Sequence, residues 1–279
     1  MFVRNLAGAF VFAIALTADV FAATIGTVFD VGYATYQSPY TITAGPKTGT
    51  VGAGLMGLNG SGGTNDFLTS FRHVGDSQGN DKNLVAGFCI DLSEYIYSAQ
   101  HPFKVEYLQY APNDYGSGSS LHMGPDKAEA ISRLWGNVLG TGNEYIVASN
   151  KTMALQLAFW EIIYEAWNPS TWNLYNGSFK ASGTYSGSDV RGLANTYLTE
   201  LATAIGNNYS GYSQRANLVA LSAPDGYGVP SGYQDQVVQW LSPTAPSRPT
   251  PEPSSIVALA SIGIVGLGAL ARRKQRAAR

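Results

Sequence analysis

The sequence has a single cysteine, Cys89, among 279 residues, so the chain cannot close an intramolecular disulfide. Histidine is nearly as scarce, and His73, His101 and His122 are scattered without the spacing of zinc ligands. No metal site and no cofactor are therefore predicted. The single thiol, that of Cys89, therefore needs an explanation.

Charge is also low: charged residues make up 13% of the chain, and the formal net charge is −2. The basic residues cluster near the C-terminus, and this distribution gives no indication of nucleic-acid binding. Glycine (32 residues) and tyrosine (17 residues) are abundant, which is common in β-rich extracellular proteins but is not diagnostic of an activity.

Residues 1–22 have the order of a secretory signal peptide. An apolar run from Leu6 to Ala18 follows one basic residue, Arg4, and the run ends in a small-residue pattern that signal peptidase reads, with Ala22 at its end. The run is shorter than the roughly 20 residues that a membrane-spanning helix needs. The sequence therefore predicts export, with cleavage after Ala22.

The C-terminal region combines three features in a fixed order. Residues 243–255 are a Pro-rich linker, residues 256–271 are apolar, and residues 272–279 are a basic tail. Because basic residues stay on the cytoplasmic side, residues 256–271 are predicted as a transmembrane helix that leaves residues 23–250 outside. An ordinary single-pass tail anchor is one interpretation.

This arrangement closely resembles the PEP-CTERM sorting signal of Gram-negative bacteria, with Pro251, Glu252 and Pro253 as its motif. The resemblance implies that an exosortase recognises and removes the signal. Membrane anchoring through residues 256–271 is then transient, and the expected destination is the cell surface or the extracellular matrix.

Residues 23–242 are long enough for one large domain or two small ones. Residues 49–66 are poor in apolar positions and are interpreted as a loop or a flat hairpin. Alternating patterns predict strands in residues 24–45, 67–74, 84–92, 103–110, 217–222 and 236–241.

Helical spacing interrupts the strand pattern in the middle of the chain. Asp126 followed by Glu129 is a capping-box signature for a helix that ends at Gly140. Two further helices are predicted, one over residues 151–166 with Ser149 or Asn150 as its N-cap and one over residues 189–205, and residues 168–188 are interpreted as a surface loop. The predicted class is α+β: a β-sandwich or barrel with an inserted helical subdomain, flanked by the signal peptide and the sorting helix.

Cys89 lies in a predicted strand with Phe88 and Asp91, and its thiol enters an oxidising compartment unpaired. A buried hydrophobe is one explanation, since free cysteine is among the most buried residue types. Gln156 lies within the apolar surface of the second predicted helix. A buried glutamine costs about 1–3 kcal/mol unless its amide is hydrogen-bonded, and bonding to backbone is the simplest remedy.

Two short motifs connect these residues. Phe88-Cys89-Ile90-Asp91 on a strand and Gln156-Leu157-Ala158-Phe159-Trp160 on a helix resemble the thioester domain family of Gram-positive surface adhesins. Three positions depart from the family pattern. Phe88 stands where tyrosine is frequent, Leu155 where threonine often precedes the glutamine, and Phe159 where an aliphatic residue is usual.

The resemblance implies a thioester-type domain over residues 23–242, with an internal thioester between the Cys89 sulfur and the Gln156 side-chain carbonyl. A protein amine then takes the Gln156 acyl group once, so the expected function is covalent adhesion to an amine-bearing partner and not enzymatic turnover. Phe88, Phe159 and Trp160 would keep water away, and Asp91 would orient the site or, equally, end a strand at the surface.

Two other functions remain open. In the first, the chain is a non-covalent structural or binding module of the envelope or biofilm, with Cys89 and Gln156 as unreacted core residues. In the second, Cys89 acts with His101 or His122 as a cysteine hydrolase, which the absence of a nucleophile-elbow pattern disfavours. Glu161 and Glu165 are candidates for proton transfer, although solvated helix positions are their default.

Overall fold

A computed structural model describes residues 25–35, 39–44, 47–61, 65–92, 98–111, 122–182, 188–223 and 233–241. The predicted signal peptide (1–22), linker (243–255), transmembrane helix (256–271) and basic tail (272–279) lie outside these ranges. Within them, no helix is both long enough and apolar enough to cross a membrane.

The described residues form strands and helices in an α+β order, which confirms the predicted class. In chain order the elements are β1 (Val28–Thr35), β2 (Pro39–Ala44), β3 (Lys47–Gly52), β4 (Met56–Ser61), α1 (Asn65–Ser70), β5 (His73–Gly75), β6 (Asp81–Cys89), β7 (His101–Tyr107), α2 (Gly124–Leu139), β8 (Ile146–Val147), α3 (Asn150–Tyr164), β9 (Phe179–Ser182), α4 (Val190–Gly206), β10 (Leu218–Ser222) and β11 (Gln236–Gln239). The three longer helices lie in the chain between β7 and β10, as the predicted insertion requires.

Six antiparallel strands close a β-barrel, which decides between the two predicted architectures. Their order is β11-β10-β7-β1-β4-β6, and β6 pairs with β11 to complete the ring. β5 and β8 extend the sheet beyond β6, while β2, β3 and β9 form a separate three-stranded sheet. β9 lies within residues 168–188, so the expectation of a loop throughout that range is wrong.

Strand alternation gives β6 two different faces. Val85, Gly87 and Cys89 share the inner face, where a Cβ added to Gly87 would lie 2.8 Å from Leu58 Cδ1 and 3.6 Å from Val238 Cγ1. A Cβ at position 87 would therefore displace the end of the Leu58 side chain, whereas Val238 is at an ordinary contact distance. By the same alternation, the side chain of Cys89 points to the inner face of the barrel.

The outer face of β6 packs against the helices. The Phe88 ring lies 5.1 Å from the Trp135 ring of α2 and 5.6 Å from the Phe159 ring of α3, both edge-on. α3 begins with the Ser149 and Thr152 capping box, and every residue from 152 to 163 is buried. The predicted helix, buried nearly all round, is thus confirmed, and it is held directly against the Cys89 strand.

Two predictions before Cys89 are wrong. Residues 49–66 are not a loop, since they contain β4 and part of β3, and they are not a hairpin, since these two strands lie in different sheets. Glycine hides the β4 pattern, because a Cβ added to Gly60 would lie 2.5 Å from the Phe67 ring. Residues 67–74 begin inside α1 and reach a strand only at β5. Phe67 and Phe71 are four residues apart, which is helical spacing, and their rings pack at 5.4 Å.

The capping box predicted for α2 is also absent. The helix starts two residues before Asp126 with Pro125 in its first turn, and its N-cap residue makes no side-chain cap hydrogen bond. The Glu129 carboxylate instead accepts hydrogen bonds from Arg133 Nε at 2.9 Å and Arg215 Nε at 2.7 Å. The predicted end of this helix at Gly140 is confirmed.

Candidate functional site

The two motifs meet at the end of β6. The side-chain amide of Gln156 makes two hydrogen bonds to the backbone of Cys89, which is 67 residues away in the chain. Cys89 N–H donates to Gln156 Oε1 at 2.9 Å, and Gln156 Nε2 donates to Cys89 C=O at 2.7 Å. Cys89 is 1% exposed and Gln156 is 0% exposed, so the site lies in the core.

Sheet register explains why a glutamine fits at this point. The pairing of β4 with β6 starts at Met56 opposite Gly87, two residues before Cys89. On the other side, β6 bonds β11 through alternate residues, as Ile90 N–H donates to Asp235 C=O at 3.0 Å. The N–H and C=O of Cys89 therefore point to the edge of β6 on which β4 no longer pairs with it. The Gln156 amide takes the place of β4 there.

The Cys89 thiol is held by the chain that follows it. Sγ donates a hydrogen bond to Asp91 C=O at 2.9 Å, and Gln234 Nε2 donates to the same carbonyl at 2.6 Å. Asp91 is buried, so the alternative prediction that it ends a strand at the solvent-exposed surface is wrong. Its backbone carbonyl is the atom that contacts the thiol.

The predicted shielding residues Phe88, Phe159 and Trp160 are all fully buried. Phe88 and Phe159 pack with Trp135, whose ring stacks on Phe159 at 6.2 Å, while Trp160 packs against Phe179 of β9. Since Phe88 and Cys89 point to opposite faces of β6, these rings cover the helix side of the site and not the thiol directly.

Glu161 and Glu165 bind the segment that follows α3. Glu161 is buried and not solvated as expected, and its Oε1 accepts from Asn173 N–H at 2.6 Å. Burial raises the pKa of Glu161 to about 8, and the nearby charge of Glu165 adds to the rise. Glu165 Oε1 accepts from Phe179 N–H at 2.7 Å.

The histidines considered for a hydrolase pack on aromatic rings. His101 stacks on Tyr233 with ring centroids 3.8 Å apart, and His122 lies 6.3 Å from the Tyr110 ring. Neither contact supports a role beside Cys89. Among the residues described by the structure, no group of three or more His, Cys, Asp or Glu side chains could hold a metal ion.

Comparison with known proteins identifies the C-terminal signal. Residues 249–274 match the family model of the PEP-CTERM protein-sorting motif. The protein is thus exported and sorted by an exosortase. The match includes Pro251, Glu252 and Pro253 and confirms the predicted sorting motif. No curated protein and no solved structure matches the chain.

Exosortase sorting delivers the barrel to the cell surface or the extracellular space. Cys89 is therefore an exported thiol, and its burial beside Gln156 keeps it from external oxidants and from other thiols.

Two polar residues of the site were not predicted. Tyr164 accepts a hydrogen bond from Leu92 N–H at 2.6 Å, and Gln234 binds Asp91 C=O. A signal for Tyr164 exists in the sequence, because Gln156, Trp160 and Tyr164 are spaced four residues apart along one side of α3. Gln234 precedes the predicted strand 236–241, and no pattern marks it.

Proposed function

We propose that Cys89 and Gln156 form an internal thioester, and that the exported protein uses it for covalent adhesion to an amine-bearing partner. The observation that carries the proposal is the pair of hydrogen bonds between the Gln156 amide and the Cys89 backbone. Two short motifs that resemble the thioester domain family thus meet across 67 residues in a buried site.

In the first step the Cys89 sulfur attacks Gln156 Cδ. The Sγ–Cδ bond forms, the Cδ–Nε2 bond breaks, and the thiol proton leaves with Nε2 as ammonia. The Cys89 N–H already donates to Gln156 Oε1, so it stabilises the negative charge that develops on this oxygen. Fixed proximity offsets the poor reactivity of an amide.

In the second step an amine, such as a lysine side chain of the partner, attacks Gln156 Cδ. The Sγ–Cδ bond breaks, an amide bond forms, and the proton lost by the amine passes to the Cys89 sulfur. Thiolate is a better leaving group than a deprotonated amine. A thiol has a pKa of about 8.5, so its anion is a far weaker base than the anion of an amine. Each chain couples once, so the protein is not an enzyme.

Burial supports a long-lived thioester, because water reaches neither Cys89 nor Gln156 directly. Before sorting is complete, residues 256–271 anchor the chain transiently in the membrane, as expected for a Gram-negative sorting signal. After exosortase removes the signal, the protein carries this buried bond to the cell surface or the matrix, so coupling to a partner amine requires a local opening of the fold at Gln156.

A second function is favoured by the same hydrogen bonds. They satisfy the intact Gln156 amide, so the pair is also stable as an unreacted part of the core. The protein is then a non-covalent structural or binding protein of the envelope or biofilm.

Intact mass of the mature exported protein separates the two functions. With the thioester, the mass is lower than that of the sequence by one ammonia, and methylamine raises it by adding to Gln156. Cys89→Ala and Gln156→Ala are the matched controls, and neither is expected to lose ammonia or to react. A wild-type protein that has the full mass of its sequence, and whose thiol reacts once the protein is unfolded, supports the non-covalent function.

A further inference from the structure

The peptide group between Asp91 and Leu92 is bonded at both of its polar atoms. Its carbonyl accepts from Cys89 Sγ at 2.9 Å and from Gln234 Nε2 at 2.6 Å. Its N–H donates to the Tyr164 hydroxyl at 2.6 Å. Because a peptide group is planar, fixing its N–H and C=O together fixes the direction from which the carbonyl meets the thiol.

α3 reaches the strand end at two points. Gln156 binds Cys89 and Tyr164 binds Leu92, so residues eight positions apart on the helix contact residues three positions apart on the strand. Eight helical residues rise about 12 Å, and three extended residues span about 10 Å. α3 therefore runs alongside the continuation of β6 and holds it where β4 is absent.

Gln234 approaches the same peptide group from the β11 side. It lies next to Asp235, whose carbonyl accepts from Ile90 N–H at 3.0 Å, and so it continues the pairing of β6 with β11. Gln236 Nε2 donates to the Gln234 backbone carbonyl at 3.0 Å, which holds this residue in turn. The peptide group is thus clamped between the helix and the sheet.

We infer that Tyr164 and Gln234 are positioning residues that aim the Cys89 thiol at Gln156. They act through the Asp91–Leu92 peptide group, whose carbonyl sets the orientation of the thiol. The inference rests on the proposed function, since the aim of the thiol affects chemistry only if Cys89 reacts with Gln156.

The test compares Tyr164→Phe and Gln234→Met with Tyr212→Phe. The control removes the hydroxyl of another tyrosine that packs in the core, where it donates to Glu200 Oε2 at 3.3 Å and makes no hydrogen bond to the Asp91–Leu92 peptide group. Three quantities are measured: the melting temperature, the rate at which newly synthesised protein forms the thioester, followed as the loss of one ammonia by intact mass, and the infrared S–H stretching band. With a single cysteine, that band reports only the Cys89 thiol, and it is recorded after methylamine has opened the thioester.

Tyr164→Phe and Gln234→Met are expected to move the S–H band to higher frequency, because the thiol loses its well-aligned acceptor. Thioester formation is expected to slow by about tenfold, since small misplacements of reacting groups are costly. Tyr212→Phe is expected to lower the melting temperature by a similar amount and to change neither the band nor the rate.

A band and a rate of thioester formation that stay at their wild-type values in both site variants overturn the inference, whatever happens to stability. If the wild-type protein has no thioester, the proposed function fails instead. The S–H band of its unreacted thiol then still decides whether Tyr164 and Gln234 orient that thiol. If Tyr164→Phe does not fold, Gln234→Met provides the same comparison from the opposite side.

Discussion

Gln156 pairs with the backbone of Cys89 in the way that a neighbouring strand would, accepting from its N–H at 2.9 Å and donating to its C=O at 2.7 Å. One side chain therefore serves two purposes. It completes the edge of β6 beyond the end of β4, and it places an amide carbon next to the only cysteine of the chain.

Substitutions of Gln156 and of Cys89 are therefore expected to have different effects. Gln156→Met keeps the volume of the side chain but leaves both polar groups of Cys89 without their partner. Each of these two groups costs about 1–3 kcal/mol when its hydrogen bond is lost, so we expect the free energy of unfolding to fall by about 2–6 kcal/mol. Urea unfolding of the variant measures the loss, and a change within 0.5 kcal/mol, about the effect of an ordinary surface substitution, would contradict the strand-like role.

Cys89→Ala is the matched test of the chemistry. The variant keeps the backbone groups that Gln156 binds, so the unfolding free energy should fall by only about 1–2 kcal/mol. Methylamine incorporation at Gln156, measured by peptide mass spectrometry, should disappear entirely. The same variant tests the hydrolase interpretation, because any hydrolytic activity that it retains cannot depend on the Cys89 thiol.

The sequence predicts the helical half of this site better than the strand half. The capping signal and the continuous apolar surface of α3 are local, and the structure has the helix at Asn150–Tyr164 against the predicted 151–166. Gln156 is recognisable because a buried amide in such a helix needs a partner. Which backbone groups the Gln156 amide binds depends on where the pairing of β4 with β6 stops. The closed barrel determines that position, so the local sequence does not predict it.

Barrel packing also explains the strands that were missed. Gly57 and Gly60 occupy β4 because an added Cβ would meet Leu84 Cδ1 at 2.8 Å and the Phe67 ring at 2.5 Å. Close contact between distant segments thus selects residues that look like a loop in the sequence. Gln234 is unpredictable for the same reason, since its contact with Asp91 spans 143 positions.

Phe88→Leu tests whether the aromatic cluster protects the site from water. Leucine leaves a gap between β6 and the rings of Trp135 and Phe159, so we expect faster loss of the thioester in buffer and a stability loss of about 1–3 kcal/mol. The measurement is the fraction of protein that still incorporates methylamine after increasing times of incubation.

The matched control is Phe67→Leu, which loosens a fully buried ring packed on Phe29 and Phe71. Its stability should fall by a similar amount, while its thioester should last as long as that of the wild type. Equal lifetimes in the two variants would show that general loosening, and not the Phe88 cluster, controls access of water.

Glu161 gives the fold a pH dependence of known sign. Burial raises the pKa of its carboxyl to about 8 from the model-peptide value of 4.5. The folded state therefore binds the proton more tightly, and the stabilisation is fully present below pH 4.5 and is lost as the pH rises towards 8. In that window Glu161 lowers the unfolding free energy by up to about 1.4 kcal/mol per pH unit.

Glu161→Gln removes this titration but keeps an oxygen that can accept from Asn173 N–H. We therefore expect the variant to unfold at a higher urea concentration than the wild type at pH 8, and the difference should shrink at pH 5. Because Glu165 is present in both proteins, the difference between them isolates Glu161. A wild-type protein whose stability relative to the variant is the same at pH 5 and pH 8 would mean that this carboxyl is already ionised in its buried position.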